Sequence, residues 1–314
     1  MRVLVTGGFG YLGGRLCQYL ASQSNYQISL GTRQQSGSQP WAPAAELVQI
    51  QWDSPQTLQK ICIGFDSVIH LAGMNAQDCA ADPSSAFEVN AVATGRLVAA
   101  AINSGVKRFL YFSTAHVYSS PLAGMLTEET CPVSLHPYAT SHRAGEDLVR
   151  AAHQSGDIEG VVVRLSNAFG APAHKDANCW MLLVNDLCRQ AVTTRQLVLH
   201  TTGLQRRDFI PLSDVCRATE HLLNLSGHEL GEGVFNLGGM WSPTVWEVAS
   251  LIQERCKALL GIESSITRPT PESKEVSDKL DYRIDRLIKT GFQLNSDRVA
   301  ELDNLLKLCE AEFA

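Results

Sequence analysis

Val3-Leu4-Val5-Thr6-Gly7-Gly8-Phe9-Gly10-Tyr11-Leu12-Gly13 carries an apolar run straight into glycines at positions 7, 10 and 13. The run reads as a buried strand, and Tyr11–Ser22 behind it has helical periodicity, so the junction opens a βαβ unit. Glycines suit that junction. They permit a tight turn and let backbone N–H groups approach a pyrophosphate at the helix N-terminus, and Gly13 lets the helix lie close to the strand. A glycine triplet alone is a weak signal; between a strand and a helix it reads as a dinucleotide site rather than a merely structural turn. The three-then-three spacing differs from a fingerprint that starts Gly-x-Gly.

Outward from this stretch, short apolar runs recur at Gln27–Leu30, Leu47–Gln51, Ser67–Ala72, Arg108–Ser113 and Gly160–Leu165. Helical patterns fall at Ser84–Ser104 and Pro137–His153, the latter with Ala144, Leu148, Ala151 and Ala152 as a buried stripe. Strands alternating with helices imply right-handed crossovers and a parallel sheet. Past Leu165 the alternation weakens: Asn178–Val192, Thr244–Leu260 and Ser296–Glu312 read as helices, Asp208–Ile210 and Val234–Leu237 as short strands. The expected fold is α/β, a doubly wound parallel sheet with a smaller C-terminal cap. Residues 1–166 form the dinucleotide-binding domain, 206–240 return to it, and 167–314 are mainly the substrate-binding cap. The polar stretch Gln34–Gln39 reads as a mobile loop, and the charged Glu263–Lys279 as exposed surface.

With 314 residues, 45% hydrophobic and 18% charged, the chain has the composition of a globular protein of one large domain, or one with a cap. The net charge of −6 comes without a basic block, so no nucleic-acid partner is expected. No apolar run reaches the roughly 18 residues of a membrane span, and the N-terminus lacks a signal-peptide layout. A cytoplasmic protein without membrane contact is the expectation. Nine cysteines, an odd number with no Cys-x-x-Cys pair, read as buried thiols, so no metal site or disulfide framework is expected.

Further segments follow in order: Val68-Ile69-His70-Leu71-Ala72-Gly73; Asn90 with Thr94 and Leu97; Phe112-Ser113-Thr114-Ala115-His116-Val117-Tyr118; Tyr138-Ala139-Thr140-Ser141-His142; Arg164-Leu165-x-Asn167-x-Phe169-Gly170; Arg207-Asp208-Phe209-Ile210 with Asp214-Val215; and Gly233-x-Phe235-Asn236-Leu237-Gly238. With the glycine stretch, they resemble the extended, sugar-nucleotide branch of the short-chain dehydrogenase/reductase family, over residues 2 to about 240 and more loosely beyond. The resemblance implies a Rossmann-type sheet and NAD(P)-dependent hydride transfer at a carbon of a nucleotide-diphosphate sugar. It also implies a homodimer formed through helices corresponding to 84–104 and 137–153.

By the same resemblance Gly7, Phe9, Gly10, Tyr11, Leu12, Gly13, Leu71, Ala72, Gly73 and Asn90 line the cofactor, and Asp53 takes the place of an acid beside the adenine amino group. After the second strand Gly31-Thr32-Arg33 offers no carboxylate to repel a 2′-phosphate. Arg33 could pair with that phosphate or lie solvated; NADP is favoured over NAD.

Moving a hydride at a sugar carbon requires a group that moves a proton at the attached oxygen. The family uses the tyrosine of Tyr-x-x-x-Lys, whose phenol, near pKa 10 when unperturbed, is lowered by adjacent positive charge. Here Tyr138 is followed four residues on by His142 instead of lysine. The two share a helix face. A neutral imidazole could hold a ribose hydroxyl without supplying charge; an imidazolium would imitate lysine only below roughly pH 6.5. Thr114 takes the position that bonds the substrate oxygen. Ala115-His116 stands where family dehydratases carry Asp-Glu, which argues for an epimerase or reductase over a 4,6-dehydratase. His116, Asn167, Arg207 and Arg283 are the candidate substrate contacts. The alternative, motivated by the absent lysine, is a dinucleotide-binding sensor or partner subunit with weak or no catalysis.

Overall fold

The computed structural model describes residues 1–33, 39–272 and 277–314. Residues 34–38 of the loop expected at Gln34–Gln39, and 273–276 of the stretch Glu263–Lys279, lie outside the described residues.

Seven strands form the main sheet: β1 Arg2–Thr6, β2 Gln27–Thr32, β3 Glu46–Gln49, β4 Ser67–His70, β5 Arg108–Thr114, β6 Glu159–Leu165 and β7 Val234–Leu237. Their order is β7-β6-β5-β4-β1-β2-β3, parallel throughout. This is the expected doubly wound sheet. The winding reverses between β1 and β4, and a crevice opens beyond their carboxyl ends at such a reversal. Thr6 is in register with His70 there, which sets Gly7 opposite Leu71 and Ala72.

Both faces are covered. On one, Leu16, Cys17 and Leu20 of helix Tyr11–Ala21 pack with Val215, Cys216 and Leu222 of helix Leu212–Asn224. On the other, Leu58, Leu97, Val98 and Val149 come from helices Pro55–Cys62, Ala93–Asn103 and Pro137–Gln154. A second core gathers helices Leu183–Thr193, Val245–Leu260 and Arg298–Phe313 through Leu187, Ile252 and Leu305. Helix Val245–Leu260 is bounded by sequence: Thr244 and Glu247 make a capping box, and Gly261 closes it at φ 69°.

Three elements differ from expectation. The run Ser67–Ala72 leaves the sheet after His70, because Leu71 onward turns into the crevice. The helix expected over Ser84–Ser104 is Pro83–Phe87, a π turn at Glu88–Val92, then Ala93–Asn103. The helix expected from Asn178 starts at Leu183; Cys179 is buried, and Leu182 N–H closes a turn onto its carbonyl 3.0 Å away. Helices Pro55–Cys62 and Leu212–Asn224 were not anticipated. Eight of the nine thiols are buried; Cys131 is exposed. Among the described residues no helix is long and apolar enough to cross a membrane, and no group of three or more His, Cys, Asp or Glu could hold a metal ion.

Candidate active site

The glycine stretch forms a cradle that side chains would fill. Gly7 sits at φ +70°, and a Cβ there would lie 2.7 Å from the Ala72 nitrogen; a Cβ on Gly13 would lie 2.3 Å from the Gly7 oxygen. Gly10 N–H closes the turn onto Gly7 O at 2.9 Å, and Gly10 caps helix Tyr11–Ala21 with no side-chain bond. A helix N-terminus without a side-chain cap, approached closely by backbone, fits the pyrophosphate of a dinucleotide. Leu12, Leu71 and Ala72 are half-buried and Gly73 exposed, and Leu71 N–H bonds Thr6 O at 3.2 Å.

Segment 170–174 straps this loop down. The Tyr11 hydroxyl donates to Gly170 O at 3.0 Å, and Arg15 donates to Ala171 O at 2.7 Å while pairing with Glu301 at 2.9 Å. Phe9 meets Trp41 edge-on at 5.5 Å, Trp41 stacks on His174 at 5.0 Å, and His174 Nε2 lies 3.1 Å from Phe9 O. Arg33 is exposed at the end of β2. The Asp53 carboxylate is 99% exposed and 3.7 Å from Arg96.

Helix Pro137–Gln154 carries Tyr138, the candidate acid/base, and His142 one turn further on. Pro137 occupies its first turn, where a missing N–H costs nothing, and His136 Nδ1 caps it by accepting Tyr138 N–H at 3.2 Å. The rings of Tyr138 and His142 meet edge-on, 4.6 Å apart. Thr114, at the end of β5, accepts His116 N–H at 3.1 Å, and its hydroxyl lies near the Tyr138 phenol. Burial raises the Tyr138 pKa, and the nearby Thr114 hydroxyl opposes that rise in part. Burial lowers His142 to about 4, so the imidazole is neutral near pH 7. The positive charge that lysine supplies in the family pattern is absent.

His142 is held from both sides. Its Nδ1 lies 2.8 Å from the Tyr111 hydroxyl, while its Cε1–Nε2 edge faces Gly73, where an added Cβ would sit 3.7 and 3.8 Å from those atoms. Asn90, buried in the π turn, accepts Met74 N–H at 2.8 Å and donates to Ser141 Oγ at 3.0 Å, joining the chain beyond Gly73 to the residue before His142. Tyr111 was not singled out from sequence, because a tyrosine inside the apolar run Arg108–Ser113 reads as core; only its bond to His142, 31 positions on in the chain, reveals its polar end.

Of the candidate substrate contacts, His116 and Arg207 lie within electrostatic reach of each other: burial lowers the His116 pKa, and Arg207 and His136 lower it further. Burial also lowers Arg207. Asn167 Nδ2 donates to Asp208 O at 2.9 Å, beside the strand pairing of Asn167–Phe169 with Phe209–Pro211. The structure thus gathers Gly73, Asn90, Thr114, Tyr138 and His142, with His116 and Arg207 adjoining. Arg283 commits its guanidinium to Asp285 at 2.9 Å and Asp281 at 3.6 Å.

Residues 3–238 match the NAD dependent epimerase/dehydratase family. The chain is 28% identical to a dTDP-glucose 4,6-dehydratase of Streptomyces niveus, over 99% of this chain and 92% of that protein. It is 26% identical to an uncharacterized UDP-glucose epimerase of Bacillus subtilis, over 81% of this chain and 82% of that one. Its fold is similar to UDP-glucose 4-epimerase of Thermus thermophilus solved with NAD (TM-score 0.82, 20% identity, 99% and 100% covered). It is also similar to a UDP-glucuronic acid 4-epimerase mutant from Bacillus cereus solved with NAD and a fluorinated UDP-sugar (TM-score 0.80, 22% identity, 98% and 100% covered). By the match over residues 3–238, on a sheet wound in this order, the chain belongs to the NAD dependent epimerase/dehydratase family, in the extended short-chain dehydrogenase/reductase branch.

Proposed function

We propose that this chain is an NAD(P)-dependent enzyme acting at a sugar carbon of a nucleotide-diphosphate sugar, as an epimerase or reductase and not as a 4,6-dehydratase. The observation that carries the reading is the edge-on contact of Tyr138 with His142, whose imidazole edge faces Gly73 of the glycine cradle. When bound, the nicotinamide supplies the chemistry of taking up or returning a hydride. Thr114 orients the sugar oxygen, Tyr138 moves the proton at that oxygen, and neutral His142 holds a ribose hydroxyl. Arg207 and Asn167 face the diphosphate, and the second core of helices forms the cap over it. The relatives' sugar nucleotides support this substrate class.

The argument against dehydration is local. Ala115 has no acid, and half-buried His116, its pKa lowered, brings no carboxylate to the neighbouring sugar carbon. Since one relative above is a dehydratase, that is the competing activity. Arg33 supports NADP over NAD, whereas the similar structures named above hold NAD; titration of Arg33→Ala with each dinucleotide separates the two. Exposed Phe87, Val92 and Leu148 support a homodimer through the helices at 83–103 and 137–154.

The test is a panel of sugar nucleotides read by nicotinamide absorbance and product analysis. A reductase consumes reduced dinucleotide, an epimerase changes the sugar without net absorbance change, and a dehydratase releases a keto-deoxy sugar, which would overturn the assignment. Tyr138→Phe is expected to cost about 10²–10⁴ in rate. Tight dinucleotide binding with no turnover across the panel would instead establish the sensor reading.

A further inference from the structure

A buried polar chain runs behind the site from β1 to the tyrosine helix. Thr6 Oγ1 lies 2.6 Å from His70 Nδ1, His70 Nε2 lies 2.9 Å from Thr94 Oγ1, and Thr94 Oγ1 donates to the Asn90 carbonyl at 2.8 Å. The Tyr111 hydroxyl lies 2.8 Å from His142 Nδ1, 3.2 Å from the same Asn90 carbonyl and 3.4 Å from the His142 carbonyl. Thr6, His70, Thr94, Asn90, Tyr111 and His142 are all buried, so each proton must find an acceptor within the chain.

The protons can be assigned in order. Thr94 spends its proton on Asn90 O, so toward His70 it accepts. His70 then carries its proton on Nε2, and its Nδ1 accepts from Thr6. The Asn90 carbonyl already has a donor, and Nδ1 of His142 is the nearest acceptor to the phenol. Tyr111 stays protonated, because burial and the neighbouring Glu146 push its pKa well above the usual phenol range.

We propose that Tyr111 is a positioning residue, whose hydroxyl donates to His142 Nδ1 and fixes the imidazole as the Nε2–H tautomer, presenting one neutral donor to the Gly73 edge of the dinucleotide cradle. The tautomer of a histidine follows the bond made by its other nitrogen. A lysine needs no such arrangement, since its ammonium carries three donors on a rotating head. The histidine in the motif therefore depends on a second residue, one strand away, to offer the cofactor a donor at all. This rests on the dinucleotide reading above.

The experiment compares the parent with Tyr111→Phe, His142→Lys and the double variant. The His142 tautomer is read by long-range ¹H–¹⁵N correlation, assigned by loss of the signal in His142→Gln, and NAD and NADP affinities are measured by titration. The parent should show the Nε2–H form without any ligand. Tyr111→Phe should mix the tautomers and weaken dinucleotide binding by roughly three- to tenfold, the worth of one hydrogen bond. On the His142→Lys background the same change should leave affinity within about twofold, because the positioning role has gone. An Nδ1–H parent, or equal weakening on both backgrounds, would overturn the proposal. A parent that shows the Nε2–H form but binds neither dinucleotide would support the tautomer assignment and sink the cofactor reading instead.

Discussion

A Cβ on Gly145 would stand 2.6 Å from the Tyr111 hydroxyl oxygen, and the same distance from the Asn90 carbonyl. The helix bearing Tyr138 and His142 therefore lies against β5 at a spacing that only a hydrogen at position 145 allows. Gly145→Ala should improve helix propensity yet destabilise the fold by about 1–3 kcal/mol through overpacking, and should displace the Tyr111–His142 bond. Denaturant unfolding and dinucleotide titration check both effects. An unchanged midpoint with unchanged affinity would show slack between helix and sheet.

The pH profile follows from the neutral ring. With His142 lowered to about 4 and Tyr138 raised by burial, no group between them changes charge near neutrality. The rate of oxidation should rise with pH as the Tyr138 phenolate forms. It should not fall through about pH 6.5, where an ordinary imidazole loses its proton. His142→Lys places a cation beside the phenol and should shift the rise to lower pH. A parent profile that falls through that range would mean that the imidazolium is the working form.

Two buried neutral histidines also make the fold sensitive to acid. Burial lowers His70 to about 3 and His142 to about 4, from an ordinary 6.5. Below pH 6.5 the unfolded chain takes up these protons while the native state does not. The stability is thus complete above 6.5 and is lost as pH falls toward 4 and then 3, by on the order of a few kcal/mol. Thermal unfolding from neutral pH to about pH 4 should show a falling midpoint in the parent and a shallower fall in His142→Gln. Equal slopes would place the acid sensitivity elsewhere.

Arg164 and Glu146 form a buried pair, 2.6 Å apart with side chains 4% and 1% exposed. Ser113 Oγ donates to Glu146 at 2.5 Å, and Arg164 donates to the Tyr118 hydroxyl at 3.0 Å. Arg164→Leu strands a carboxylate in the interior and should cost about 3–5 kcal/mol in urea unfolding. Adding Glu146→Leu removes that stranded charge and should recover part of the loss; no recovery would mean that packing, and not charge, sets the cost.

Much of this architecture was legible because local signals agree. From Arg2 to Leu165 the apolar runs, the glycine turn and the helical stripes fall in one repeating order, so strand, helix and crossover support one another. Strand order is not local. That β7 closes the sheet's edge depends on Val234 pairing with Val162, which no periodicity encodes. The π turn at Glu88–Val92 changes no residue type and left the helix at 84–104 looking continuous. Helix Pro55–Cys62 did carry a signal, Ser54 before Pro55, but buries only Leu58 and Cys62, too little apolar stripe to read. Arg283 pairs with its own sequence neighbours Asp281 and Asp285, acids two positions away on either side. The approach of Tyr138 to His142 was readable from their spacing on one helix, whereas the Tyr111–His142 bond, which joins a strand to that helix, was hidden.

The Arg15–Glu301 pair spans 286 positions. The helix that presents the glycine turn is synthesised well before its partner, so its guanidinium waits for a carboxylate made 286 positions later. During synthesis on the ribosome the first five strands can pair early, but the clasp on the glycine loop cannot fasten until helix Arg298–Phe313 has emerged. A nascent fragment that already looks folded is still unlatched until Glu301 has emerged.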